Sequence, residues 1–270
     1  MPSSPHEVLR FDNVTVRFDE QPVVDRVSFV LAAGESRIVL GEAGAGKTVL
    51  LKTALGLIRP DSGRVHLFGT DITDLKEKAL FEVRQRVGML FQEGALFDSQ
   101  TVEENVAYPL LSRAQKTLNN TELQAIEDKV LRALEFVELG HTVEKFPSEL
   151  SGGMRRRVGI ARATVTEPPL VLYDSPTAGL DPITANTIMA LLVKERDIRN
   201  TSSMVVTHRY QDGQIMAGFR TDGHEGKLIP DPGRPGVVFM VMREGRLIFE
   251  GTQTELEASP EAYVRKFVRR

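Results

Sequence analysis

The chain has 270 residues, 41% of them apolar, which suffices for one large α/β domain or two small ones. Lys and Arg number 34 against 37 Asp and Glu, so no global field favours nucleic acid or an anionic membrane surface as partner. The lack of cysteine excludes disulfides, thiolate metal sites and cysteine nucleophiles, and fits a reducing cytosol.

The opening MPSSPHEVLR has no basic flank followed by an apolar core, and no apolar run approaches the ~18 residues of a membrane span. A soluble or peripheral protein is expected. Residues 8–18 and 27–31 read as half-exposed strands of β-branched and aromatic residues. Residues 37–40 (RIVL) form a short apolar run ending at Gly41, the pattern of a strand buried on both faces, and residues 47–57 follow with helical spacing. Further buried strands are expected at 87–91, 170–173 and 204–207, and a hairpin over 237–249 turning at Glu244 and Gly245. Helical patterns fill 102–111, 121–139, 151–165 and 181–199, with Pro168 and Pro169 closing the third. Strands alternating with helices predict a largely parallel, helix-covered sheet, and the block from about residue 94 to 167 an inserted helical subdomain. Residues 219–236 are too rich in Gly and Pro for regular structure and predict a surface loop.

Two segments carry the chemistry. GEAGAGKT, residues 41–48, fits the P-loop pattern completely and sits between the expected strand and helix. Its glycines, Gly41, Gly44 and Gly46, let the backbone of Glu42, Ala43 and Ala45 curl so that N–H groups face phosphate oxygens. Lys47 would reach the β and γ phosphates of ATP, and the Thr48 hydroxyl would ligate Mg²⁺. In LVLYDSPTAGLDP, Asp174 ends an apolar strand where such enzymes place the carboxylate of the Mg²⁺ site. Alone, a strand-terminal Asp is as often a turn residue. LSGGM, residues 150–154, offers Ser151 as a helix N-cap, with Gly152 and Gly153 leaving N–H groups open as a second anion site.

P-loop, Asp174 and LSGGM in this order resemble the ATP-binding cassette (ABC) ATPases over nearly the whole chain. The resemblance implies a single ABC domain of α/β class. Its P-loop NTPase (RecA-like) core with an antiparallel β subdomain would span 1–92 and 168–270, and its inserted helical subdomain 93–167. It also implies a second ABC subunit, most simply in a homodimer, so that each P-loop faces the partner's LSGG segment. Position by position, Phe18 matches the aromatic that stacks on adenine, a strand-end core residue being the alternative. Gln92 matches the glutamine that links the Mg²⁺ site to the helical subdomain. Asp181 matches the dimer-contact aspartate, with helix N-capping as a compatible second role, and His208 the switch histidine that contacts the γ-phosphate.

FQEGALFDSQTVEENVAYPL, PSELSGGM and GLDPITANTI resemble the Mla/Mce-associated ATPases of phospholipid transport. That implies an MlaE-like membrane permease, an Mce-domain lipid-binding protein in the same complex, and a peripheral place on the cytoplasmic face of the inner (plasma) membrane.

Ser175 departs from the family, whose catalytic base here is a glutamate. Losing a positioned general base costs about 10²- to 10⁴-fold in rate, so ATP binding with slow turnover is expected. Glu167, at the far end of the same strand, is excluded as a substitute; Glu93, beside Gln92, is a possible one. Arg209 follows His208 where an acidic residue is usual, and 219–236 is inserted relative to the family. Besides a transport subunit, the sequence admits an ATP-gated clamp or a soluble ABC ATPase acting on nucleic acid or ribosomes. The single cassette, the lack of a coiled-coil insertion and of a basic patch argue against the last, although basic runs occur at 155–157 and in the tail YVRKFVRR, which suits anionic headgroups.

Overall fold

The structure is a computed structural model that describes residues 7–114, 118–222, 227–233 and 235–269. Strands β1 (Glu7–Phe18) and β2 (Gln21–Ala32) pair antiparallel across Asp19 and Glu20, both at positive φ, 47° and 66°. That is the twist a two-residue hairpin needs. No Gly or Asn marks this turn, which is why the expected second strand began six residues late.

Strand β3 (Ser36–Leu40), buried along its whole length, runs into the P-loop and helix α1 (Lys47–Ala54). Next come β4 (Ser62–Leu67), β5 (Thr70–Asp71) and helix α2 (Glu77–Arg84), which periodicity did not reveal: β4 holds Gly63 and Arg64, and Leu80 is the one buried residue of α2. Strand β6 (Val87–Leu90) precedes the helical block, α3 (Val102–Leu111), α4 (Asn120–Phe136) and α5 (Gly152–Thr164). Capping boxes start α3 (Thr101 with Glu104) and α4 (Asn119 with Glu122), each satisfying helix N–H groups that water would otherwise take.

Strand β7 (Leu170–Asp174), helix α6 (Pro182–Arg199), strand β8 (Ser202–Thr207) and helix α7 (Tyr210–Gly218) return to the core. The expected irregular loop at 219–236 is corrected: β9 (Phe219–Thr221) and β10 (Leu228–Pro230) form a two-stranded antiparallel ribbon. Arg196 of α6 anchors it by donating to the carbonyls of Met216 and Phe219, and Asp197 accepts from the Thr221 N–H. Pro230 is tolerated because a two-stranded ribbon has only edges. Residues 223–226 and 234 of that segment lie outside the described residues. The expected hairpin follows as β11 (Val237–Arg243) and β12 (Arg246–Gly251), turning at Glu244 and Gly245, both at positive φ. Helices α8 (Gln253–Glu257) and α9 (Ala262–Val268) end the description.

Two sheets result. The order β12-β11-β3-β8-β7-β6 is parallel from β11 to β6, with β12 antiparallel at the edge; the second sheet, β2-β1-β4-β5, is antiparallel. One apolar core joins a face of the six-stranded sheet to the helical block, α6 and α7. A second lies between the opposite face, α1 and the antiparallel sheet. Helices therefore do not cover both faces alone. Within the parallel sheet Leu40 aligns with Thr207, and Asp174 with Val206, so the P-loop, Asp174–Ser175 and His208 leave neighbouring strand ends. The carboxyl edge of a parallel sheet is where such folds bind ligands.

Candidate functional site

The P-loop arch is fixed by sterics. Gly46 caps α1 at φ 95°, and a Cβ there would stand 2.3 Å from the Val23 carbonyl oxygen of the antiparallel sheet. No side chain fits. The Lys47 ammonium donates to the carbonyls of Gly41 and Glu42, both at 2.8 Å, so it folds back across the loop. Burial pulls its pKa below the ordinary lysine value, opposed by the nearby carboxylates of Asp174 and Glu42.

Asp174 is 3% exposed. Its Oδ1 accepts from Thr48 Oγ1 at 3.3 Å and from Ser175 Oγ at 3.2 Å. One hydroxyl and one carboxylate leave most positions of an octahedral ion to water and phosphate, which is how proteins usually hold Mg²⁺. The residues fit the ion, and the glycine loop ahead of α1 with Lys47 fits a polyphosphate. Ser175 itself sits at φ 52°, with its N–H bonded to Val206 O at 2.9 Å. That strained backbone aims position 175 off the strand end.

Phe18 is 49% exposed at the tip of β1, so its alternative reading as a core residue is corrected. Gln92 and Glu93 lie in a single-turn helix after β6, with Glu93 at φ 60°. Both line a cavity of about 570 Å³ with Arg156, Ala178, Gly179 and Leu180. Arg156 is buried and donates to the carbonyls of Ser175 and Ala178, at 3.4 and 3.2 Å. Burial lowers its pKa, while Glu93 and Asp174 oppose that shift. His208 follows β8 directly and is exposed.

Of the Ser151, Gly152 and Gly153 segment, Gly152 reaches the same cavity as Gln92. Ser151 caps α5 by accepting from Met154 N–H at 3.3 Å, and a Cβ on Gly153 would lie 2.6 Å from a Thr184 methyl. Asp181 caps α6, accepting from the N–H groups of Ile183 and Thr184 and from the Thr184 hydroxyl. That hydroxyl is the main reason its carboxyl titrates below the usual range. Both caps edge a notch of about 380 Å³ that no P-loop residue lines. Within one chain the P-loop and the Ser151 cap line separate hollows.

The basic run at 155–157 turns inward, whereas Arg265, Lys266 and Arg269 of the tail are exposed. Arg155 donates to Leu150 O, Arg156 as above, and Arg157 to Val137 O, so the 155–157 cluster is spent on carbonyls inside the fold. In the tail, Lys266 of α9 pairs with Glu42, and Tyr263 Oη accepts from the Glu42 N–H at 3.4 Å. Sequence reading missed this clasp on the P-loop, since nothing in residues 262–268 names a target 220 positions away. It also missed an apolar groove of about 630 Å³ between the core and the helical block, lined by Leu57, Phe81, Met89, Phe97 and Tyr108. Asn105 shapes its rim: the fully buried amide bonds Phe97 through both N–H and C=O, and also Gln100 O and Thr101 O.

The family model for the ABC transporter matches residues 24–178. The chain is 34% identical over 260 residues to the probable ribonucleotide transport ATP-binding protein mkl of Mycobacterium tuberculosis, covering 96% of this chain and 66% of that protein. It thus spans just under two thirds of that relative's length. It is 34% identical over 266 residues to the methionine import ATP-binding protein MetN of Bifidobacterium longum, covering 96% and 60%. The intermembrane phospholipid transport system ATP-binding protein MlaF of Haemophilus influenzae is 31% identical over 262 residues, covering 97% and 90%. Among solved structures, the dimeric post-hydrolysis state of the cassette MJ0796 bound to ADP and Pi superimposes with a TM-score of 0.75 at 27% identity, covering 91% of this chain and 98% of that one. No described helix is long and apolar enough to cross a membrane. With the P-loop, Asp174 and the Ser151 cap in place, the chain belongs to the ABC transporter family as an ATP-binding subunit.

Proposed function

We propose that the chain binds and slowly hydrolyses ATP as one half of a homodimer that energises phospholipid transport through an MlaE-like permease joined to an Mce-domain protein. The observation that carries the dimer is the separation of the P-loop from the Ser151 notch: a nucleotide held by both needs two chains. The lipid assignment rests on the MlaF likeness, which extends over 90% of that protein, and on the segments quoted above.

When bound, ATP supplies the reacting anhydride and Mg²⁺ neutralises charge on its phosphates. Thr48 and Asp174 would hold the ion, with Gln92 approaching from the helical block. Residues 41–48 cradle the phosphates, Lys47 turns from the two loop carbonyls to them, and Phe18 offers its exposed ring to adenine. Ser151, Gly152 and Gly153 of the partner subunit close the site, and Asp181 borders the same contact. His208 meets the γ-phosphate end. Ser175 occupies the position of the base but cannot accept a proton at neutral pH, so turnover relies on positioning and charge, at a cost of about 10²- to 10⁴-fold.

The groove of Phe81, Phe97 and Tyr108 would seat a cytoplasmic helix of the permease, placing the chain peripherally on the cytoplasmic face of the membrane. Its exposed aromatic rings are the kind of surface that marks a partner. A second reading, an ATP-gated clamp that regulates the same complex without hydrolysis, is favoured by Ser175.

Co-reconstitution with the permease in liposomes tests both. ATP-driven transfer of phospholipid, with no uptake of methionine or ribonucleotide, is expected; uptake of either solute overturns the lipid assignment. Lipid transfer that proceeds equally with a non-hydrolysable ATP analogue selects the clamp.

A further inference from the structure

One buried carboxylate has no part in the scheme above. Asp212, on α7, is 0% exposed, and its Oδ2 accepts from Thr177 Oγ1 and from Thr207 Oγ1, both at 2.6 Å. Its Oδ1 is buried without a hydrogen bond and lies 3.7 Å from Arg209 Nε. A carboxylate removed from water is tolerated only with compensation, here two hydroxyls and one cation.

The partners matter more than the burial. Thr177 stands two residues after Ser175 and four before Asp181; Thr207 adjoins His208, and its Oγ1 also accepts the Arg209 N–H at 3.1 Å. A single oxygen therefore ties the segment leaving β7 to the segment leaving β8. The Ser175 N–H to Val206 O bond, at 2.9 Å, is a second tie between the same two segments. Arg209, which stands where the family usually has an acidic residue, is the counter-charge of this junction.

We propose that Asp212 is a positioning residue for ATP hydrolysis: through Thr177 and Thr207 it makes the Asp181 loop and the His208 loop move as one unit. The dimer face and the γ-phosphate end of the site then reach their closed positions together. This rests on the reading that the chain closes around ATP as a dimer. The coupling itself, however, exists in the single chain and is measurable there.

Hydrogen exchange on the full-length protein without nucleotide tests the junction directly. Thr177→Val, which removes one hydroxyl at nearly constant volume, is expected to raise exchange about tenfold in peptides covering 205–210, on the other strand. Unchanged exchange in 205–210 overturns the proposal. In steady-state turnover, Asp212→Asn is expected to lower kcat roughly tenfold with KM within about twofold, the mark of a lost contribution to the reacting geometry. Arg209→Lys should preserve activity and Arg209→Met should not. If Asp212→Asn raises KM in step with a lowered melting temperature, the carboxylate is merely structural and the proposal fails. If Asp212→Asn does not fold, the Thr177→Val exchange decides. Wild-type protein that binds no ATP would overturn the proposed function and leave the exchange result standing on its own.

Discussion

Ser175 Oγ and Asp174 Oδ1 are 3.2 Å apart, on an oxygen that also takes the Thr48 hydroxyl at 3.3 Å. The residue at the base position thus turns toward the carboxylate of the ion site as a neutral donor. It satisfies a buried acceptor, and it contributes no base.

Ser175→Glu restores a carboxylate on the strained turn and is expected to raise ATP turnover by about 10²- to 10⁴-fold in a purified-protein phosphate-release assay. Glu93→Gln serves as its control. Because Glu93 sits in the field of buried Arg156, its loss should reduce turnover by less than about tenfold, below the ~10²-fold that removing a true base costs. A larger fall, matched to the gain from Ser175→Glu, would make Glu93 the base instead.

Thr48→Ala removes a hydroxyl from the pair proposed to hold Mg²⁺. Apparent Mg²⁺ affinity in ATP turnover should fall ~10- to 100-fold, while binding of a fluorescent ATP analogue without Mg²⁺ stays close to wild type. Equal loss in both assays would mean that Thr48 acts on the loop and not on the ion.

Lys47 contributes to pH-dependent stability with a sign that follows from burial. Its folded pKa is depressed, so between that value and the unfolded value of 10.5 the unfolded chain binds more protons, and stability rises with pH. The desolvation penalty is fully present below the folded pKa and disappears as pH passes 10.5. Lys47→Met should therefore melt higher than wild type at pH 7 without nucleotide, with the difference shrinking toward pH 10.5. The same variant should fail to bind ATP. A difference that does not change with pH would locate the effect in packing.

Asn105→Ala should destabilise the chain by about 1–3 kcal/mol in urea unfolding, because one N–H and three carbonyls lose a buried amide partner. As the same bonds hold Phe97 at the groove, permease association measured by co-purification should weaken in parallel. Asn105→Asp, which sets a buried carboxylate against three carbonyls, should destabilise at least as much as Asn105→Ala.

The nucleotide-binding elements were legible in the sequence because each is local. GEAGAGKT spaces its glycines where the loop turns to positive φ, at Gly44 and Gly46, and the buried strands ahead of Gly41, Ser175 and His208 announce themselves as apolar runs. Ser151 and Asp181 likewise cap the helices they immediately precede. The hairpin at 19–20 and the ribbon at 219–230 were not legible. The turn at 19–20 lacks the usual markers, the Gly- and Pro-rich composition of 219–236 reads as loop, and Arg196 and Asp197, which anchor the ribbon, lie on another helix.

What the sequence determined by itself was the presence of the P-loop pattern, since residue type and spacing over a few positions fix it; the roles of Asp174 and Ser175 came from resemblance to the family. Only the tertiary structure decided that the basic run at 155–157 is spent on internal carbonyls, that Lys266 closes on Glu42, and that Asp212 joins the loops of Asp181 and His208. Lys266 and Glu42 are both partly exposed, whereas Arg156 and Asp212 are buried charges that need compensation. The partner of a buried charge is whatever the packed chain brings within about 3–4 Å, a distance that spacing along the sequence does not encode.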